Sequence, residues 1–457
     1  MVLYILLRWW GHKGSATNLL EPTTMRLTKA FKFAALSLLC ITAPLSAQNG
    51  SAEAPELGRT GNFAVGTSVQ NIQLPVRVRL TATGVSEAPR TVGLRLWYPA
   101  TNASGAAATY RHSIKMPGKP AYQIVEQGAA FKNASAANGR FPLVVISHGF
   151  GGWSEHLSRL GEHLASHGYV VAAIDHKDTP FDSLPGFLLS FGGVLVDRSL
   201  DQRQIIARLI DPAFPKAHPA LAAIDKAKIG LIGYSMGGYG ALASAGVAYN
   251  PAGKPFAQLP PAAKAQAMTA DRPLADRLKA VVLIAPWGGQ PDNRAWSHDA
   301  LATLKTPALL IAGDHDDIVN YSVGVRWLYD SLTASDRYLL VYREARHNVA
   351  GNASDLGANP SMEALGYVRE PVWRQERLNQ INQHFVTAFL DFTLKGDTSK
   401  RKYLDVPVPV SGDGQWPVAF GAQDDGAFAG DGQPEYWRGF QRRWAVGMEL
   451  HHKRAGQ

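Results

Sequence analysis

Residues 233–238 read Gly-Tyr-Ser-Met-Gly-Gly, so Ser235 stands at the centre of a G-x-S-x-G pattern. The apolar run Lys228–Tyr234 precedes it and the helix-forming stretch GYGALASAGVAY follows. That strand, turn and helix context is what the pattern needs. A serine on a tight, strained turn is pushed clear of the backbone, and a side chain at either flanking glycine would collide with its neighbours. Such a serine is suited to attack an acyl carbonyl. Its hydroxyl is a poor nucleophile at neutral pH, so a base must take the proton and an acid must orient the base.

For a serine on such a turn the chain order is serine, acid, base. The strand-like run 307–313 ends in Gly313-Asp-His-Asp-Asp-Ile-Val319. Asp316 is the preferred acid, since it holds the fourth place of G-x-x-D-x-x-V, and Asp314 and Asp317 compete for the role. The next apolar run, 338–344, is followed at once by Ala345-Arg-His347-Asn348. Of 14 histidines, His347 alone falls between that run and the helical stretch from Gln375, and it is the expected base. His148, His176 and His315 also end apolar runs but come too early in the order. Developing negative charge on the carbonyl oxygen calls for two backbone N–H donors. The amide of Met236 is one. Phe150, in the loop Ser147-His-Gly-Phe-Gly-Gly152, is expected to supply the other, although H-G-x-G-G also suits a plain tight turn between strand and helix.

The elements that must hold these residues are short apolar runs at 141–147, 169–175, 228–234, 279–285, 307–313 and 338–344, separated by helical stretches. Continuous apolar strands alternating with helices predict a parallel sheet buried on both faces. Helical spacing appears at 154–167, at 200–210 and at 375–394, where Leu378, Ile381, Phe385, Phe389 and Phe392 form one stripe. The segment 91–98 alternates with period two and predicts a strand ended by Pro99. Two connections exceed what such a fold needs. One, 178–196, is rich in Phe and Leu and reads as a lip or partial cap; the other, 250–276, is rich in Pro and Ala.

The predicted domain layout is an upstream extension with a cleavable signal (1–47), a linker (48–62), a catalytic domain (63–396) and a C-terminal extension packed on it (397–457). Arg26, Lys29 and Lys32 precede an apolar run of about 13 residues, too short to span a bilayer, and Leu45-Ser46-Ala47 suits cleavage after Ala47. A secreted or periplasmic location is therefore expected, with no stable membrane span, and residues 1–24 suit an upstream start codon. The 457 residues carry a formal net charge of +9. Five basic residues and one acidic residue lie before position 48, so the excess after Ala47 falls to +5. No basic run coincides with a nucleic-acid motif, which argues against that partner. Cys40, the single cysteine, excludes an intrachain disulfide. With 46% hydrophobic residues, the chain can build one large core by packing alone.

WYPA (97–100), SHGFGG (147–152) and GYSMGG (233–238) together resemble the α/β-hydrolase superfamily, over about residues 60–395. Within it they look like bacterial serine hydrolases grouped with dienelactone hydrolases and platelet-activating-factor acetylhydrolases, and are similar to cutinase-like polyester hydrolases. The resemblance implies a mostly parallel sheet with helices on both faces, N-terminal antiparallel strands and small cap-like insertions. Departures are informative. Dienelactone hydrolases place Cys where this chain has Ser235, acetylhydrolases carry an acid where this chain reads Ala285-Pro286-Trp287, and cutinase-like enzymes usually carry disulfides. The expected chemistry is hydrolysis of a hydrophobic or aromatic carboxylic ester with no metal or organic cofactor. Trp153, Trp287, Phe181, Phe187 and Leu188 are expected to line the substrate pocket. Lipid-directed lipase or phospholipase activity, polyester or phthalate esterase activity, amidase or peptidase activity and non-catalytic binding are the alternatives.

Overall fold

Each of the six apolar runs becomes a strand with almost no solvent exposure, as a sheet covered on both faces requires. The computed structural model describes residues 51–114, 121–181, 183–213, 218–417 and 426–457. The predicted export signal, with Cys40, lies outside the described residues. The runs form β5 (Phe141–Ser147), β6 (Val170–Asp175), β7 (Ile224–Tyr234), β8 (Leu278–Ile284), β9 (Ala308–Gly313) and β10 (Arg337–Tyr342). Ahead of them come β1 (Ala64–Thr81), β2 (Gly84–Ala100), β3 (Ala107–Ile114) and β4 (Tyr122–Lys132), and β11 (Met448–Lys453) closes the chain. All eleven belong to one sheet in the order β11-β10-β9-β8-β7-β5-β6-β2-β1-β4-β3. Strands β5 to β10 pair in parallel. Chain direction across the sheet reverses at β5, so the loops after β5 and β7 diverge and leave a crevice at the strands' carboxyl ends.

The helices that matter for the site are α1 (Ser158–Ser166), α2 (Leu184–Ile210), α3 (Met236–Ser244), α4 (Met362–Val368) and α5 (Gln375–Leu390). The segment 178–196 is not the loop that its length suggests. Ser183 caps α2 by accepting from the Gly186 amide at 3.3 Å, and the helix runs unbroken for 27 residues through Gly192 and Gly193. Tertiary contacts override those poor helix formers: Val194, Leu195, Ile205 and Ile206 are buried in the main core. The Pro- and Ala-rich 250–276 segment forms short helices, and its Ala263 and Ala267 pack on Val196 and Leu200 of α2.

Two ends of the chain are more integral than predicted. The last residues do not belong to an extension laid over the domain; β11 pairs antiparallel with β10 from Arg337↔Lys453 to Tyr342↔Met448 and forms the sheet edge. The segment predicted as a linker is also packed. The Glu56 amide donates to Gly439 O at 2.7 Å, and the Leu57 amide donates to His384 Nδ1 at 3.1 Å. Strand β2 likewise runs past Pro99, which pairs with Val65. The hairpin of β1 and β2 breaks register between Leu74 and Arg77, where Pro75 has no N–H to donate. Beyond this break Arg77, with Arg90 of β2, is buried against Asp197 and Asp201 of α2.

Candidate active site

β7 ends at Tyr234 and α3 begins at Met236, leaving Ser235 alone on the turn with φ 52° and ψ −114°. A non-glycine residue held there stores on the order of 1–3 kcal/mol of strain. Surrounding hydrogen bonds over-determine it: the Ser235 amide donates to Ile284 O at 2.9 Å, and its carbonyl accepts from Tyr239 (3.0 Å) and Trp287 (3.1 Å). A Cβ at Gly237 would sit 2.0 Å from Ser147 O, so only glycine lets α3 start this close to the end of β5.

The loops after β9 and β10 deliver the other two groups. His347 Nε2 lies 3.1 Å from Ser235 Oγ, and His347 Nδ1 lies 2.8 Å from Asp316 Oδ2. The Asp316 side chain is fully buried, and its other oxygen accepts from the amides of Ile318 (2.9 Å) and Val319 (3.0 Å). Burial works against a charged imidazole, but the charge and hydrogen bond of Asp316 outweigh it and hold the His347 pKa above its ordinary value. The competing acids point elsewhere. Asp314 accepts from the Glu344 amide at 2.7 Å, and Asp317 pairs with Arg346 at the surface. Ser235, His347 and Asp316 thus form one line of hydrogen bonds.

Four residues not singled out in the sequence brace the site, one beside His347 and three at the loop after β5. Glu370 accepts from the amides of Arg346 and Asn348, both at 2.7 Å, bracketing His347 on either side. In the loop after β5, the Gly151 amide donates to Asp178 at 2.9 Å, Asp178 pairs with Arg198 at 2.7 Å, and the Tyr367 hydroxyl of α4 donates to Gly151 O at 3.0 Å. His148 and His176 are buried behind the same loop. The His176 amide donates to His148 Nε2 at 3.1 Å, and His176 Nδ1 lies 2.8 Å from Asp201.

Of the expected pocket residues, Phe181, Phe187 and Trp287 come together, joined by Phe150 and Phe191. Phe150 has ring centroids 5.7 Å from both Phe181 and Phe187, and Phe191 is 5.4 Å from Trp287. Two residues do not join them. Trp153 is buried, with its indole stacked between His112 (4.1 Å) and His156 (4.4 Å), so both its faces are occupied. Leu188 is 54% exposed: one residue past Phe187 it has turned about 100° around α2, away from the aromatic group. Among the described residues no cluster of three or more His, Cys, Asp or Glu is placed to hold a metal ion.

The family described as platelet-activating factor acetylhydrolase, isoform II, matches residues 58–181. Cutinase 2 of Thermobifida cellulosilytica is 27% identical over 43% of this chain and 56% of its own length. The chain resembles serine esterases of the α/β-hydrolase kind. That likeness has an acetylhydrolase side and a cutinase side, and the mixed sheet with its helices agrees with such a fold. A bis(hydroxyethyl) terephthalate hydrolase of Streptomyces coelicolor is 26% identical over 48% of this chain and 54% of its own length. A platelet-activating factor acetylhydrolase of Cavia porcellus is 31% identical over 18% of this chain and 20% of its own. The chain spans about half the length of the cutinase and terephthalate-ester relatives. The 58–181 match carries β1 to β6 and the loop 147–152; Ser235, Asp316 and His347 lie beyond it.

Proposed function

We propose that this chain is an exported serine hydrolase that cleaves hydrophobic or aromatic carboxylic esters through an acyl-enzyme. The observation that carries the reading is the hydrogen-bonded line from Ser235 through His347 to Asp316, 3.1 and 2.8 Å long, on a strained turn. His347 Nε2 takes the hydroxyl proton as Ser235 Oγ bonds to the ester carbonyl carbon. The carbonyl oxygen gains the charge and is met by the amides of Met236 and Phe150. As the opening residue of α3, Met236 has no helical carbonyl for its amide, and the Phe150 amide donates to no backbone carbonyl among the described residues. His347 returns the proton to the leaving alkoxide, and the alcohol departs. Water, activated by the same imidazole, then releases the acid and restores Ser235. Residues 25–47 serve as the export signal, and residues 63–396 with the edge strand β11 form the catalytic body.

The aromatic group of Phe150, Phe181, Phe187, Phe191 and Trp287 supports an apolar acyl or aryl subsite beside the nucleophile, with the first part of α2 as a partial cap. A lipid-directed reading is favoured by the acetylhydrolase match over 58–181, and a polyester reading by the cutinase relatives. A p-nitrophenyl ester series from acetate to palmitate, run beside a dialkyl phthalate and a phospholipid, separates these readings. Phe187→Ser is expected to raise KM for the hydrophobic esters by about 10-fold or more, the scale of a lost apolar contact in a pocket, and to leave the acetate ester nearly unchanged. Leu188→Ser should change neither. Equal effects of Phe187→Ser on all esters would remove the subsite, and no hydrolysis of any ester would remove the function.

A further inference from the structure

We propose that Arg198 is a positioning residue for the loop after β5, polarising the Gly149–Phe150 peptide so that the Phe150 amide is a stronger and better-fixed donor to the reacting carbonyl oxygen. This deepens the proposed hydrolase reading and rests on it. Arg198 lies on α2, 49 residues from Gly149 in sequence, with its side chain 1% exposed. Its Nη2 donates to Gly149 O at 3.3 Å and to Asp178 at 2.7 Å. The same carbonyl accepts from the Gly152 amide at 3.2 Å and from His148 Nδ1 at 2.7 Å. His148 can donate there because its Nε2 is committed as acceptor of the His176 amide, which fixes the proton on Nδ1. Three donors, one of them a buried cation, therefore converge on the carbonyl whose own peptide unit carries the Phe150 N–H. Hydrogen bonds at the oxygen of an amide strengthen the N–H at its other end, the more so in a low-dielectric setting.

A second observation argues that this charge is held for a reason. Arg198 Nε and Nη1 are buried without a hydrogen-bond partner among the described residues. Leaving such donors unmet is costly, and a merely structural contact to Asp178 would not need a guanidinium that is otherwise unsatisfied. α2 comes this close because Gly240 of α3 has no side chain: a Cβ there would lie 2.8 Å from Arg198 Cγ. Asp178 meanwhile grips the Gly151 amide. An uncompensated carboxylate there would oppose negative charge on the substrate oxygen, so Arg198 also cancels a field that would otherwise disfavour the intermediate.

The test compares wild type with Arg198→Lys and with the double variant R198M/D178N, which leaves no lone buried charge. For an ester that wild type hydrolyses, kcat is expected to fall by about 10-fold or more, part of the roughly 10²–10³-fold lost when an oxyanion donor is removed outright, with KM within 2-fold of wild type. Affinity for a trifluoromethyl ketone, which binds Ser235 as an oxyanion, should fall by the same factor. Affinity for the matching secondary alcohol, which places no charge in the loop, should hold. Wild-type kcat in either folded variant, or equal loss of ketone and alcohol binding, would overturn the proposal. If R198M/D178N does not fold, Arg198→Lys carries the comparison, since a lysine ammonium cannot reach Gly149 O and Asp178 with the same fork geometry. Wild-type protein that neither cleaves esters nor binds the ketone would instead sink the hydrolase reading itself.

Discussion

Asp316→Asn should lower kcat by on the order of 10⁴-fold, the loss expected when an orienting acid is replaced by its amide. The local geometry says why the isostere fails. Oδ1 of Asp316 is committed to the amides of Ile318 and Val319. An asparagine must keep its oxygen there, which turns its NH₂ towards His347 Nδ1. Two donors cannot face each other, so the imidazole shifts its proton to Nε2 and can no longer accept one from Ser235. The pH profile supplies a second readout. The base works only as neutral imidazole, and Asp316 holds the His347 pKa above 6.5. The acid limb of kcat/KM in wild type should therefore lie above pH 6.5, and in Asp316→Asn the residual activity should persist to lower pH. Asp314→Asn and Asp317→Asn should stay within a few-fold of wild type, since those carboxylates hold the Glu344 amide and Arg346. Full activity in Asp316→Asn would reassign the acid.

Gly237→Ala is expected to be severely disruptive. The new methyl would meet Ser147 O at 2.0 Å and His148 O at 2.9 Å, both backbone atoms at the end of a buried strand. Relief requires moving α3 or β5, and with them either the nucleophile or the loop bearing Phe150. A loss beyond about 4 kcal/mol, at the extreme of single-site effects, should appear as a fall in Tm of about 5 °C or more in a folded body of this size, with activity lost before unfolding. Gly193→Ala is the internal control. It lies within α2, and a Cβ added there would meet nothing within 4 Å, so removing a glycine from the helix at that point should be neutral or stabilise by up to about 1 kcal/mol. Similar behaviour of the two variants would contradict the tight-turn account.

Legibility in the sequence follows locality. The runs that form β5 to β10 stand out because a strand covered on both faces needs an uninterrupted apolar stretch, and Ser235, Asp316 and His347 stand out because each directly follows such a strand. β11 is hidden because MELHHK alternates buried and half-buried positions with histidines, so it reads as a basic tail until β10 is beside it. α2 is divided because Pro185, Gly186, Gly192 and Gly193 mask a helix whose support is the neighbouring core. Arg198, Asp178, Tyr367 and Glu370 carry no local signal at all. Tyr367 meets Gly151 across 216 residues, and Glu370 meets Arg346 across 24. Pairing of that kind is written in the topology of the loops and not in any spacing along the chain. Trp153 misleads for a related reason: its position next to the glycine loop suggests a pocket wall, whereas two histidines, from β3 and the turn before α1, occupy its faces.

The most direct measurement is covalent labelling with a fluorophosphonate probe followed by peptide mapping. A nucleophile held 3.1 Å from an oriented imidazole should react at neutral pH, with the label on the peptide containing Ser235. Labelling should disappear in Ser235→Ala and slow sharply in Asp316→Asn. Folded wild-type protein that takes up no probe, or takes it up equally after Ser235→Ala, would contradict the assignment of Ser235 as an activated nucleophile.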